Sequence, residues 1–147
     1  MSARTRPDTD RGGRTWPQVA ALVVGAVYTV AGIAGFFVTG FDDFAGHTGE
    51  TLLGFEVNPL HNLVHLAIGV AGLAMAASLA LARTYGWLLA VGYGAALLYG
   101  LFAVGESWDF LSLNAADNWL HAVSALVGLL IALGPVRAAV GGPSARR

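Results

Sequence analysis

The chain has 147 residues, 56% of them hydrophobic and only 12% charged, with a net charge of -1 and a mean hydropathy of +0.64. A soluble domain carries roughly 25% charged residues, so there are too few charges here to cover a water-facing surface, and no basic excess meets nucleic-acid phosphate. With no cysteine, disulfides, thiol nucleophiles and thiolate metal sites are excluded, and the composition points into a lipid bilayer.

In chain order, residues 1–16 form a polar segment with Arg4, Arg6, Arg11 and Arg14, expected to be a mobile cytoplasmic tail. The charge-free stretch Thr15 to Phe41 predicts a first span over about 17–40. It is too long for the h-region of a cleaved signal peptide, which runs about 7 to 15 residues. An outer loop follows with Asp42, Asp43, His47, Glu50 and Glu56. It lacks the alternating acids of a calcium loop, and its run Glu50 to Glu56 is expected on the membrane surface. The second span is placed at about 60–81, a short connection around Arg83 and Thr84 makes an antiparallel hairpin, and the third span covers about 85–105. A loop with Glu106 and Asp109 leads to the fourth span at about 117–136 and a C-terminal tail, 137–147. Each stretch approaches the roughly 20 apolar residues a spanning helix needs. A charge at the bilayer centre would cost about 2.5 to 3.5 kcal/mol.

All 8 basic residues are arginine: four before span one, Arg83 between spans two and three, and Arg137, Arg146 and Arg147 after span four. Seven of the 9 acids lie in the opposite loops or at the entry to span four. The positive-inside rule therefore puts both termini in the cytoplasm of a multi-pass plasma-membrane protein.

Spans two and four open alike. Asn58-Pro-Leu-His61-Asn62-Leu-Val-His65 matches Asn114-Ala-Ala-Asp117-Asn118-Trp-Leu-His121 at an offset of 56, continuing through Gly72/Gly128. Spans one and three align at an offset of 65 through Tyr28/Tyr93, Ala31/Ala96, Gly35/Gly100 and Phe37/Phe102. The two offsets agree if the first outer loop carries an insertion of nine residues. The fold expected is an all-α membrane four-helix bundle built from two duplicated helical hairpins. The halves are parallel repeats, unlike the inverted repeats of many carriers. Small residues at helix-packing spacing, such as Gly25/Gly32, Gly69/Gly72, Gly92/Gly100 and Ala125/Gly128, allow close helix approach. They serve the bundle interior or, alternatively, a homo-oligomer face.

Taking Asn58 and Asn114 as N-caps, the pairs His61/His65 and Asp117/His121 each fall at i,i+4, so both members of a pair share one helix face. One reading is a structural polar clamp in which Asn58, Asn62, Asn114 and Asn118 join the histidines to hold the halves together near the outer face. Another is an outward-facing site for a divalent metal at His61, His65, Asp117 and His121, since imidazoles and a carboxylate suit zinc and its neighbours. A haem between His65 and His121, or another small ligand, is a further alternative. No nucleophile and base constellation is present, so the expected role is non-enzymatic, structural or interactive.

The run Thr51 to His65, with its Asn-Pro-x-His-Asn-x-x-His element, and Asp117-Asn-Trp-Leu-His121 resemble a family of small bacterial membrane proteins common in actinomycetes, domain of unknown function family 4383. The resemblance covers about residues 17–136. It implies a four-span membrane protein and carries over no catalytic residues. The arginine-only basic usage also looks like that of a high-GC actinobacterium.

Overall fold

The computed structural model describes residues 13–136. The expectations for the two tails, including six of the eight arginines, fall outside the described residues. Four helices build the bundle: α1 (Trp16–Thr39), α2 (Pro59–Met75), α3 (Leu79–Ala103) and α4 (Ala115–Leu133). Two-residue strands β1 (Thr51–Leu52) and β2 (Phe55–Glu56) form an antiparallel ladder in the loop between α1 and α2, with Thr51 opposite Glu56 and Leu52 opposite Phe55. Helices α1, α3 and α4 are long and apolar enough to cross a membrane, whereas α2 has 17 residues.

Helix ends follow local capping chemistry. Asn58 accepts from the His61 amide at 2.8 Å, with Pro59 at N1, where no amide hydrogen is required. Asn114 accepts from the Ala116 and Asp117 amides, and Asp117 Oδ2 accepts from the Asn114 amide at 2.9 Å, completing a capping box. The connection between α2 and α3 falls at residues 76–78, ahead of the expected Arg83 and Thr84, because Ser78 caps α3 by accepting from the Leu81 amide. Arg83 therefore lies inside α3 and donates to the carbonyls of Ala132 and Gly134 at the end of α4. Those carbonyls lack helical partners, and a cation suits that end of the helix dipole.

Packing is dense within each hairpin, α1 against α2 and α3 against α4, and lighter between the hairpins. Glycine makes the close approach inside each pair. A Cβ on Gly25 would come within 2.6 Å of the Leu73 amide nitrogen, and one on Gly86 within 2.6 Å of the Ala132 nitrogen. Gly69 is blocked in the same way by Thr29 and Gly128 by Ala90. Without a hydrophobic drive in lipid, such backbone contact supplies the dispersion that holds helices together. Gly25, Gly69, Gly86 and Gly128 are thus used inside the hairpins, whereas Gly92 has open space around it.

The duplication is visible in matched contacts. Gln18 donates to the Ala76 carbonyl at 3.1 Å, where its counterpart Arg83 donates to that of Ala132 at 3.2 Å. Gly35 faces Asn62 Oδ1, and Gly100 faces Asn118 Oδ1, so closely that neither glycine could carry a Cβ. Both amide oxygens lack an ordinary donor. Their contact with a glycine Cα–H is the kind of weak hydrogen bond that recurs at helix interfaces. The β-hairpin occupies the place of the nine-residue insertion and has no counterpart in the second half. Instead of lying along the surface as expected, it folds back over α1 in a turn with φ 55° at Leu53 and 91° at Gly54.

Candidate metal centre

Helices α2 and α4 bring His61, Asp117 and His121 together. One ligand atom from each lies within 4.8 Å of the others, and all three side chains are buried, at 2%, 0% and 2% exposure. His65 joins the group through His61, their Nε2 atoms 3.1 Å apart. The i,i+4 spacing aligns each pair on its helix, and the pseudo-twofold arrangement of the hairpins turns both pairs inward.

Tyrosines complete the centre. Tyr28 packs on His65 with ring centroids 5.1 Å apart, and its counterpart Tyr93 packs on His121 at 5.4 Å. The two tyrosines meet each other at 5.3 Å, and the Tyr28 hydroxyl is 2.6 Å from Ser124 Oγ. Ser124 and the tyrosines were missed as site residues in the sequence, although the alignment of Tyr28 with Tyr93 was the available signal.

The cluster is not outward-facing, and this corrects both the clamp and the metal readings above. Val57 and Leu113, at matched positions, are buried over the helix entries. The α1/α2 and α3/α4 loops are bonded down across them. Asn58 Nδ2 donates to the carbonyls of Gly46 and Phe110, and Asn114 Nδ2 donates to Gly54. Asp109, also missed in the sequence, is buried and folds the second loop by accepting from the Leu113 amide at 2.7 Å. Thus Asn58 and Asn114 link the two halves, whereas Asn62 donates to Thr39 Oγ1 and Asn118 faces Gly100, each inside its own hairpin. Neither Asn62 nor Asn118 hydrogen-bonds to a histidine among the described residues. His47 stays apart from the cluster, its ring at 3.2 Å from the Glu106 carbonyl oxygen.

The centre is short of hydrogen bonds. Asp117 Oδ1, His61 Nδ1 and His121 Nδ1 are all buried without a partner. An unpaired buried polar group costs about 1 to 3 kcal/mol, and more if charged. Arg83, the only basic residue in the four helices, is engaged at the opposite end. A divalent cation fits this donor set of two imidazoles and a carboxylate, all buried. Nothing supports a haem, since His65 is held by His61 and the cavity touching His61, His65 and His121 is about 130 Å³. Small-molecule pockets usually run about 300 to 1,000 Å³.

Fold and site together define a multi-pass α-helical membrane protein with a buried His/Asp cluster between two repeated hairpins. Residues 18–134 match the family model described as Domain of unknown function (DUF4383), so the chain belongs to that family. Comparison with curated proteins and with solved structures returned no match.

Proposed function

We propose that this protein is a metal-binding membrane bundle in which a divalent transition-metal ion, held by His61, Asp117 and His121 with His65 beside them, joins the two hairpins inside the bilayer. The observation that carries the reading is the convergence of three buried ligand atoms within 4.8 Å, each from a side chain that retains an unpartnered polar atom. His65 is hydrogen-bonded to His61 through their Nε2 atoms, 3.1 Å apart, and so orients that imidazole. With its ligands buried and drawn from both hairpins, the ion is structural. It offsets the buried carboxylate and links α2 to α4, whose hairpins otherwise touch lightly.

The bundle crosses a bacterial cell membrane four times with both termini in the cytoplasm. The arginine distribution supports this orientation, and the 17 residues of α2 meet the lower limit of about 17 for a span. A reporter fused after Arg147 should be active only in the cytoplasm, and an external signal would sink the orientation.

Elemental analysis of protein purified without chelators or a metal-affinity column tests the site. About one equivalent of zinc or a neighbouring first-row metal is expected, lost in His121→Ala. A folded, monodisperse protein that is metal-free and takes up no added zinc in equilibrium dialysis would overturn the reading.

A further inference from the structure

The two halves treat their tyrosines differently. In the first, a crevice of about 310 Å³ over Tyr28 and His65 is covered by Leu52, Leu53 and Phe55 of the β-hairpin. The Tyr28 hydroxyl is satisfied by Ser124. On the matched side, between α2 and α3, no hairpin exists. Ile68 stands where the repeat would place Ser124's counterpart, and the buried Tyr93 hydroxyl has no partner. Gly92 stands where the first half has Val27. Unlike Gly25, Gly69, Gly86 and Gly128, a Cβ at Gly92 would meet nothing within 4 Å. The result is a continuous cleft. The cavity of about 130 Å³ at His61, His65 and His121 shares Ile68, Gly92 and Tyr93 with a groove of about 230 Å³ running past Ala71, Leu88 and Leu89.

We infer that this α2/α3 cleft is a lateral binding site for a neutral long-chain lipid with a single oxygen head group, an alcohol or a carbonyl. Its oxygen pairs with the Tyr93 hydroxyl beside His121, and its chain lies along Ala71, Leu88 and Leu89. Three observations select this occupant. The cleft opens on faces whose exposed residues, Leu88 and Val91 among them, are apolar and lie in the span of α3, so it meets hydrocarbon and not water. No arginine, lysine or acid lines it, which excludes a charged head group. Two tyrosine hydroxyls beside the cleft are unpaired, but that of Tyr85 is packed against Gly72, which leaves the Tyr93 hydroxyl to call for one hydrogen bond, because a buried polar group without a partner is disfavoured. The site does not require the metal proposed above, only the cleft beside it.

The probe is hexadecanol carrying a mid-chain diazirine, photolysed with the full-length protein in lipid nanodiscs. Cross-links should concentrate in residues 67–71 and 88–93 and be competed by plain hexadecanol. Tyr93→Phe should lower labelling about fivefold, the loss of one neutral hydrogen bond. Gly92→Leu should fill the cleft and abolish labelling with an unchanged melting profile. If Gly92→Leu fails to fold, Tyr93→Phe and the competition decide. Chelator-treated protein should label like the untreated protein, so a metal-free protein would leave this inference standing. Labelling spread evenly over lipid-facing positions of α1 such as Val23 and Val30, or equal labelling of Tyr93→Phe, would overturn it.

Discussion

Asp117 carries two tasks on its two oxygens, and they can be separated. Oδ2 accepts the Asn114 amide while Oδ1 has no partner. Asp117→Asn keeps an acceptor for the cap but loses the anionic ligand. It should bind no metal, yet the chelator-treated variant should melt close to chelator-treated wild type. Asp117→Ala loses the cap as well and should be less stable by about 1 kcal/mol in the same comparison. Elemental analysis and melting in detergent read both. Because metal ligands must be deprotonated, bound metal should be released reversibly by acid, read by elemental analysis after dialysis at successively lower pH; metal retained until the protein unfolds in acid would argue against histidine ligation. The glycines make a second test. Gly35→Ala and Gly100→Ala force a methyl into Asn62 and Asn118 and should each cost about 1 to 3 kcal/mol. Gly92→Ala, with open space around it, should be neutral or stabilising by up to about 1 kcal/mol.

At the scale of elements, the helix entries were readable from sequence and the loops were not. Asn58 and Asn114 mark the starts of α2 and α4 because a cap is a local hydrogen bond, set by residues three apart. The position of the α2/α3 turn was misplaced by following the charge at Arg83, whereas the chain turns at Ser78 and lets the arginine reach back to the end of α4. The β-hairpin was equally hidden, since strands of two residues carry no periodicity. Its turn holds Leu53 in the left-handed region with the side chain 91% exposed. Leu53→Asn places the residue such a turn prefers. It should stabilise the loop by up to about 1 kcal/mol, seen as slower proteolysis between residues 41 and 57. A faster cut would mean that the contact of Leu53 with hydrocarbon outweighs the strain.

At the scale of the molecule, each hairpin is a packed unit and the centre belongs to both. His61 and His65 come from α2 and Asp117 and His121 from α4, with Tyr28 reaching across to Ser124. Residues 1–77 and 78–147 expressed separately should each insert in the membrane without binding metal. Co-expression should restore a complex with about one equivalent of metal. A single half that binds metal stoichiometrically would refute a shared centre.

The amino-acid sequence alone determined the bilayer as solvent, the helical hairpins and their duplication. These follow from the spacing of charges and from local or repeated patterns, which need no knowledge of distant contacts. It also named the four ionisable residues of the centre, because i,i+4 spacing places each pair on one helix face. Only the tertiary structure decided that the cluster is buried, that Asn62 and Asn118 serve their own hairpins, and that Tyr93 is left unpaired while Tyr28 is not. Burial and hydrogen-bond partnership depend on which side chain arrives from another helix or loop. Ile68 against Ser124, and one hairpin covering one crevice, are differences whose consequence appears only when the two halves are brought together.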